Sequence, residues 1–551
     1  MSSNRMLDVL KKRTSSSFDG RLGTNYVPTA AQTKEIKAHI EESKVALSTM
    51  RTTMTRLRCM LDQLESNEAE TQKYVEDCEA LITLARRMPP EIVSHIFEYC
   101  IPPEGSRPSV SEAPLLLSRI CRHWQEVALA TPQLWSAIRL HLPANIFEWD
   151  TALFRHVQAL QFWLDHSGNL PLELAISHDT HPSILINHFD QERFLFTSVA
   201  YQLLFDHIQS NCHRLLTLSV TMPIYFFHHF SLICGQPLPV LEEVSLRPSD
   251  IPLQSGHLPI INFCNADRLR SLSTTIPFHR IGDFHVPWHQ LTRLRLKEEH
   301  PTQFSLSLND YFSILQHCTH LEVCTLHIFD GLFRRPTSPL VIPSLQDFQL
   351  HVVMFFQSRD SRLGDFLSSL VLPCLQRLHI SCAVIPRPVQ VPPGTYQLEL
   401  TSFLLRTRRQ LQALTLKDVP ITSSQIFACC SISPQVTNLK LLPMYPLKID
   451  SEIIQALTPV DGIPALCPKL KALELGFGSL FESDPLLEMV SARNGRLPSD
   501  ESGVPALDSV AIVLYRNHFP SPPPDTKTRM TRYKSRLQYA LTNGTADVIW
   551  G

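Results

Sequence analysis

The feature that most constrains the fold is a six-residue pattern, L-x-x-L-x-L, which recurs along the last two-thirds of the chain. Eleven matches begin 22 to 37 residues apart, too many and too evenly spaced to be an accident of leucine content. A unit of this size cannot bury its apolar face alone, so successive units must stack on one another. The matches begin at Leu215, Leu241, Leu269, Leu291, Leu321, Leu345, Leu375, Leu411, Val436, Leu470 and Leu507.

The stretches between the matches have helical periodicity, for example at residues 308–318 and 451–457. Strand, turn and helix in repetition predict an α/β solenoid with a parallel sheet on its concave side. The pattern resembles a divergent leucine-rich-repeat array over residues 201–520, although the Asn or Cys usual in the turn is missing. Residues 141–200 are expected to be a linker and first capping repeat, with a helix at 154–163 and a strand at 172–176.

A heptad pattern precedes the repeats and lies in an expected coiled-coil region of residues 31–87. Residues 36–87 contain no Pro and no Gly, which predicts a helix of roughly 50 residues and about 75 Å. Its apolar seam would be buried either in a self-dimer through 36–87 or in a hairpin that turns near 66–71. The seam consists of Ile36, Ile40, Leu47, Met50, Met54, Leu57, Leu61, Leu64, Val75, Cys78, Ile82 and Ala85.

The two ends of the chain lack such patterns. Residues 1–30 are rich in Ser and Thr, and we expect them to be disordered. Residues 521–551 form a C-terminal tail. Within it, residues 526–536 carry five basic side chains and no acidic one, which suits either a solvated helix face or a nuclear signal or acidic-partner patch.

Short helices are expected in residues 88–140. Pro89 and Pro90 end the long helix, and Pro90 suits the first position of a new helix with Glu91 at its positive end. After a Pro-rich loop at 101–114, a second helix is predicted with one apolar face, and "ATPQLW" predicts a third with a Thr cap. The apolar face of the second helix consists of Leu117, Ile120, Cys121, Trp124, Val127 and Ala128.

Composition excludes several classes of function. The formal charge of −2 argues against a chain-wide nucleic-acid or membrane-surface role. The chain starts without a signal-peptide pattern and holds 14 Cys, which suggests reduced thiols in the cytoplasm or nucleus. The motifs "FFHHF" (226–230) and "ACC" (428–430) could suggest metal binding or redox chemistry, but the chain has no zinc-ligand spacing, P-loop or hydrolase motif. We therefore expect no metal, cofactor or catalytic residue.

Residues 88–135 resemble an F-box, the small helical module whose pattern includes L-P-x-E-[IL], an Ile-Phe pair, V-C-R-x-W and a final Leu-Trp. Met88 replaces the usual Leu, and the loop at 101–114 is longer than in many members. An N-terminal coiled coil and the "VALATPQLW" ending resemble a branch common among fungal F-box proteins. The matching residues are Pro89, Pro90, Glu91, Ile92, Ile96, Phe97, Cys121, Arg122, Trp124, Leu134 and Trp135.

The resemblance implies a substrate receptor of a cullin–RING (SCF-type) ubiquitin ligase, which binds a Skp-type adaptor through the F-box and a target protein through the repeats. Such a receptor is not itself an enzyme. A coiled-coil scaffold without a ligase role remains the alternative, and the same apolar residues, Trp124 among them, could instead form core. The implied adaptor-binding residues are Pro89, Pro90, Glu91, Ile92, Ile96, Phe97, Leu117, Ile120 and Trp124.

The target would bind the outward side chains of the repeat strands and the loops at the strand ends. Several of these side chains are basic, which favours an acidic or phosphorylated target, although polar residues alternate on any exposed strand face. The candidates are Glu243, Arg270, Arg293, Arg295, Gln346, Arg377 and Lys440.

Overall fold

The computed structural model of the chain describes residues 17–142, 149–178, 198–222, 226–227, 235–248, 261–275, 284–297, 306–329, 331–355, 362–385, 400–407, 410–442, 451–460, 465–477, 484–494 and 507–514. The chain divides into two compact units, Met1–Val93 and Ser94–Gly551. The basic segment 526–536 and the expected tail 521–551 lie outside the described residues.

The first unit is dominated by one helix, α1 (Ala30–Leu81), which has no buried residue. It begins with a capping box in which the Thr29 hydroxyl accepts from the Gln32 amide and the Gln32 side chain accepts from the Thr29 amide. The helix is continuous through 66–71, so the hairpin alternative is not adopted, and the seam side chains within it are exposed except the half-buried Ile36 and Met50. It ends at Leu81, earlier than predicted, and a separate turn, α2 (Leu84–Arg87), follows.

Residues 17–29 belong to the segment expected to be disordered, but they contain local structure. A 3-10 turn covers Asp19–Arg21, and the Arg21 guanidinium lies 4.3 Å from the centroid of the Tyr26 ring. This cation–π contact holds the chain just before the first helix.

Short helices follow α2. α3 (Pro90–Tyr99) begins at Pro90 as predicted and extends from the first unit into the second. The predicted second helix is broken, because Cys121 is extended between a 3-10 turn (Leu117–Arg119) and α4 (Arg122–Leu129). The single apolar face was therefore wrong, since Leu117 turns inward and Ile120 turns to solvent.

The last short helix is a 3-10 turn, Pro132–Trp135, with Pro at its start. The predicted Thr cap was wrong, because the Thr131 hydroxyl donates back to the Val127 carbonyl at 2.7 Å.

The rest of the second unit is built on a parallel sheet of thirteen strands in the order β1-β2-β3-β4-β6-β8-β9-β11-β13-β14-β15-β16-β17. The repeat pattern predicted a parallel sheet, and each of its eleven matches leads into one of these strands. The strands are β1 (Ala137–Leu142), β2 (Leu172–His178), β3 (Leu215–Met222), β4 (Glu243–Pro248), β5 (Ile261–Asn262), β6 (Ser271–Thr274), β7 (Phe284–His285), β8 (Arg293–Leu296), β9 (Val323–Phe329), β10 (Leu340–Val341), β11 (Asp347–Phe355), β12 (Leu370–Val371), β13 (Arg377–Ile385), β14 (Ala413–Lys417), β15 (Asn438–Leu442), β16 (Ala472–Phe477) and β17 (Ser509–Leu514). Two small parallel pairs, β5–β7 and β10–β12, stand beside it.

Helices connect many of these strands and give a mixed α/β architecture compatible with a solenoid-like fold. Neighbouring helices pack on one another, as α5 does on α6 and α9 on α10. They are α5 (Trp149–His166), α6 (Val199–Ser210), α7 (Leu308–His317), α8 (Leu363–Ser368), α9 (Leu400–Leu404), α10 (Ser423–Ile432), α11 (Ser451–Leu457) and α12 (Asp484–Asn494).

The register explains why the repeat leucines define the core. Equivalent apolar positions pair across strands, so Leu350 lies between Leu326 and Ile380, and all three are buried. Successive side chains of a strand alternate between faces, so one face of the sheet is apolar and the other carries polar side chains. We call the second face the open face.

Strand β1 was not predicted, and it crosses the boundary expected at residue 140.

Arginines near the helix ends fasten one repeat to the one before it. The guanidinium of Arg493 donates to the carbonyls of Leu457 at 2.9 Å and Leu466 at 3.1 Å, and burial lowers its pKa to about 10. Arg214 donates to the Gly168 carbonyl and Arg406 to the Ser368 carbonyl in the same way. Each arginine satisfies carbonyls that the ends of turns and helices leave without intrahelical partners.

None of the described helices is both long and apolar enough to cross a membrane.

Candidate interaction surfaces

The short helices surround a small aromatic core. Phe97 of α3 packs edge-on against Trp124 of α4, with ring centroids 5.0 Å apart. The indole N–H of Trp135 donates to the Ala128 carbonyl at 2.8 Å, so a fully buried polar group is satisfied. Trp135 also meets Trp163 of α5 edge-on at 5.0 Å. The aromatic cluster therefore joins the short helices to the first helix of the repeats.

The loop at 101–114 makes a second connection, because part of it extends the edge of the sheet. Ser106 forms a parallel bridge with Ile138 of β1, and its carbonyl accepts from the Arg139 amide at 2.8 Å. The Arg139 guanidinium pairs with the Glu104 carboxylate at 2.5 Å. Gly105, which lies between Glu104 and Ser106 in the chain, has a φ of +90°, a backbone conformation that residues with side chains disfavour. The Pro-rich loop therefore covers the first edge strand of the sheet.

Apolar side chains that do not enter this core stand at the surface. Ile96 is 42% exposed on α3, whereas its neighbour Phe97 is 1% exposed. Leu116 and Ile120, one helical turn apart, are also exposed, the latter to 54%. Tyr99 is exposed near the end of α3. These apolar side chains are not covered by the core of the short helices and are available to a partner.

The structure thus sorts the predicted adaptor-binding residues into two groups. Phe97 and Leu117 are buried and Trp124 is half-buried, so these three support the surface from beneath. Sequence reasoning missed Tyr99 and Leu116, although Tyr99 lies seven residues after Ile92, at the spacing of one helix face. The exposed members of the predicted set are Pro89, Pro90, Glu91, Ile92, Ile96 and Ile120.

The open face of the sheet carries most of the predicted target-binding side chains. Glu243, Arg293, Arg295, Arg377 and Lys440 lie on this face in strands. Arg270 and Gln346 instead stand just before β6 and β11, where their carbonyls accept amides of the next strand.

Cross-strand ion pairs neutralise part of the positive charge on this face. Arg377 binds Asp347 at 2.8 Å, and Lys440 binds Glu474 at 2.7 Å. Arg293 and Arg295, by contrast, have no ion-pair partner among the described residues. The remaining charge of this face is therefore positive around β8.

Three histidines on the open face were missed by sequence reasoning. The rings of His327 and His351 lie 4.3 Å apart, and His379 follows at 5.2 Å from His351. His351 also bonds the Ser381 hydroxyl at 2.5 Å. The repeat register could have found two of them, because His327 and His351 each follow the third apolar position of consecutive repeats.

Burial and neighbouring charge lower the pKa of two of these imidazoles, His351 and His379. Partial burial, with the charges of His379, Arg295, Lys297 and Lys417, lowers the pKa of His351 to about 4. The pKa of His379 is lowered by the same kind of burial and by Lys440 and Lys417, while Asp347 opposes the effect.

The low pKa of His351 makes stability sensitive to acid. Between pH 6.5 and about 4, His351 is protonated in the unfolded chain but not in the folded protein. The free energy of unfolding therefore has its full value above pH 6.5 and falls as the pH drops towards about 4. We expect His351→Gln to lose less stability than the wild type between pH 7.5 and pH 5, measured as the urea midpoint. Replacement of the exposed His317 is the control, and equal losses in both variants would contradict the prediction.

The two motifs that suggested metal or redox chemistry have structural roles where they are described. Cys429 and Cys430 are buried in α10, and burial raises the pKa of Cys429 to about 12, which keeps it a thiol. Phe226 and Phe227 of "FFHHF" are buried, and its last three residues lie outside the described part. Among the described residues no group of three or more His, Cys, Asp or Glu is placed to hold a metal ion.

Comparison with known proteins adds no relative. No protein-family model matches the chain. The curated proteins contain none that is significantly similar to it.

Proposed function

We propose that this chain is the substrate-receptor subunit of a cullin–RING (SCF-type) ubiquitin ligase. Residues 88–135 would act as the F-box, the repeats would be a leucine-rich-repeat array, and catalysis would belong to the partner that carries ubiquitin. The observation that carries the proposal is the exposure of Ile96, Leu116 and Ile120 on helices whose sequence resembles an F-box. A helical unit with its core already filled by Phe97 and Trp124 has no internal use for these side chains.

The proposed adaptor interface follows from burial. Covering one exposed Ile or Leu contributes roughly 1.5–3 kcal/mol, so a few such anchors are enough to form the centre of an interface. The connections of the F-box to the sheet, through Trp135 and Arg139, would hold the adaptor at a fixed position relative to a target on the open face.

The exposed seam of α1 supports a second element of the proposal, self-association. A helix of 52 residues with no buried residue leaves its heptad leucines in water, and a parallel or antiparallel copy would cover them. The receptor would then be a dimer.

A coiled-coil scaffold without a ligase role is the competing function. It explains the seam of α1 and the charged face of the sheet equally well, but it gives the exposed isoleucines of α3 and the 3-10 turn no partner. Binding to a Skp-type adaptor therefore distinguishes the two functions.

The test is adaptor binding by a variant that carries Ile96→Asp and Ile120→Asp. Both side chains are exposed, so we expect the fold to survive and adaptor affinity to fall at least tenfold, measured by calorimetry with a Skp-type adaptor. Phe97→Asp would be a poor test, because a buried charge would unfold the unit.

A charge-matched control is available on α4 and on the 3-10 turn Pro132–Trp135, within the same small helical unit. Gln125→Asp and Gln133→Asp add two carboxylates at exposed polar positions and should leave binding unchanged. Absence of binding by the wild-type chain would remove the ligase proposal and favour the scaffold. Equal losses in the test and control variants would show that charge alone, rather than the apolar surface, was being measured.

A further inference from the structure

We propose that the seam of α1 binds the same helix of a second copy of this chain in the antiparallel direction. The basic segment of each helix, residues 43–61, would then run beside the acidic segment of the other, residues 62–81. The inference rests on the self-association in the proposed function, and it adds the direction of the two helices, which the apolar seam alone leaves open. All of the residues concerned belong to α1.

The charge of α1 changes sign along its length. The basic segment contains four Lys or Arg side chains and no acidic one. The acidic segment contains seven Asp or Glu side chains and a single basic one, Lys73. In a parallel pair, segments of like charge would lie side by side and repel one another. An antiparallel pair brings segments of unlike charge together, and this complementarity favours a second copy as the partner.

The charged side chains that flank the seam lie on one side of it. With Ile40 and Leu47 assigned to heptad position a, position e follows each d residue and position g precedes each a residue. Position e is basic in the first half of α1 and mainly acidic in the second, whereas position g carries no Lys, Arg, Asp or Glu. The e residues are Lys37, Lys44, Arg51, Arg58, Glu65, Gln72 and Glu79, and the g residues are His39, Ala46, Thr53, Met60, Asn67, Tyr74 and Leu81.

This one-sided arrangement favours the antiparallel direction. In a parallel pair, position e of one helix lies beside position g of the other, where the e side chains would find no charged partner. Reversing one helix brings e against e and g against g. Arg51, Glu65 and Glu79 have no ion pair within the described part of the chain, so their charges are available to a second copy. Lys44, by contrast, binds Glu41 of its own helix at 2.8 Å.

A carboxylate within the seam gives a second, independent reason. Glu68 occupies an a position, in line with Leu61 and Val75, and is exposed in the single helix. In a parallel pair in register, Glu68 would lie against Glu68 of the second copy, and two carboxylates that lose water together repel strongly. In an antiparallel pair Glu68 instead lies beside the basic segment of the other helix.

The direction decides where the two chains continue. At 1.5 Å per residue, the 52 residues of α1 span about 78 Å. The C-terminal ends of two antiparallel helices lie at opposite ends of the pair, whereas parallel helices bring them together. The proposed F-boxes, which follow α1 in the chain, would therefore be attached at opposite ends of the paired helices.

The experiment changes charges at position e in the full-length chain and measures association by sedimentation equilibrium. The acidic variant carries Lys44→Glu, Arg51→Glu and Arg58→Glu, and the basic variant carries Glu65→Lys and Glu79→Lys. In an antiparallel pair, either variant alone places like charges at facing e positions, so we expect its dissociation constant to rise at least tenfold. An equimolar mixture of the two variants should associate as tightly as the wild type, because unlike charges then face one another.

A charge-matched control uses positions b, c and f of the same helix. Lys34→Glu, Arg56→Glu and Lys73→Glu change the net charge as much as the acidic variant does, but outside positions e and g, and should leave the dimer intact. Equal losses of association in this control and in the acidic variant would show that net charge, rather than e-to-e pairing, governs the dimer, and would overturn the proposal. Circular dichroism confirms that every variant keeps its helix.

Two further results would overturn the antiparallel direction while leaving self-association intact. One is wild-type affinity in both charge variants, because position e faces only uncharged g residues in a parallel pair. The other is a disulfide between the Cys78 residues of two wild-type copies after oxidation with copper phenanthroline, identified by peptide mapping. Cys78 is exposed at a d position and meets its equivalent only in a parallel pair. A monomeric wild-type chain would instead remove self-association itself, and the antiparallel pair with it.

Discussion

A chain that carries Leu57→Asp and Leu61→Asp is expected to be a monomer at concentrations where the wild type is a dimer. The two leucines are successive members of the exposed seam of α1. In a two-stranded coiled coil such side chains insert between four residues of the facing helix and lose their contact with water. Sedimentation equilibrium of the full-length chain gives the mass of each variant directly.

The expected effect is large because each substitution occurs twice in a dimer. Four leucines would leave the interface, at roughly 1.5–3 kcal/mol each, which is about 6–12 kcal/mol of lost association free energy. Four carboxylates would also face one another at the seam, and like charges repel most when partly desolvated. The dissociation constant should therefore rise by several orders of magnitude.

Residues on the opposite side of the same helix provide the control. Thr52→Asp and Thr55→Asp add the same charge, but both positions lie outside the seam, and their hydroxyls bond only to carbonyls of their own helix. These changes should leave the dimer intact. A wild-type chain that sediments as a monomer at all concentrations would contradict the self-association proposal.

The second large effect is expected from Trp135→Ala, which should lower the free energy of unfolding by about 3–5 kcal/mol. Trp135 is fully buried, and its ring lies 5.1 Å from Phe162 and 5.0 Å from Trp163. Removing the indole would leave a cavity and take one donor from the Ala128 carbonyl, which also accepts from the Thr131 amide at 3.3 Å. Urea unfolding followed by circular dichroism measures the change.

Trp288→Ala is the matched comparison, because Trp288 is half-buried and, in the part of the chain that the structure describes, contacts the Phe284 ring at a centroid distance of 6.0 Å. Trp288→Ala should lower the free energy of unfolding clearly less than Trp135→Ala does. If the two variants unfold at the same urea concentration, the cluster around Trp135 does not stabilise the junction as we infer. A loss of adaptor affinity in Trp135→Ala but not in Trp288→Ala would indicate that the aromatic cluster around Trp135 also positions the proposed F-box helices.

The sequence pattern of the short helices does not predict which of their apolar side chains are buried and which are exposed. The Ile-Phe pair at 96 and 97 looks uniform in the sequence, but consecutive helical positions are about 100° apart and cannot face the same way. Only packing against Trp124 decides that Phe97 enters the core and Ile96 remains outside. The extended residue Cys121 separates Leu117 and Ile120 from α4, so these two side chains do not share one helical face with Trp124.

The sequence by itself determined the local and repetitive features of this protein. The eleven leucine matches specify strands and their buried face, since alternation and spacing are properties of the chain alone. The absence of Pro and Gly from residues 36–87 likewise specifies a long helix, but its end at Leu81 was not predicted, because the sequence placed it at the prolines 89 and 90.

Only the tertiary structure decided which distant residues meet. The stacking of His327, His351 and His379, the pairing of Arg139 with Glu104 and the neutralisation of Arg377 by Asp347 all depend on strand order and register. These contacts join residues 24 to 35 positions apart, at distances set by loops whose lengths vary from repeat to repeat. The reason is physical: alternation fixes which face a side chain occupies, but the charges and rings beside it are supplied by neighbouring strands, whose register is a property of the assembled sheet.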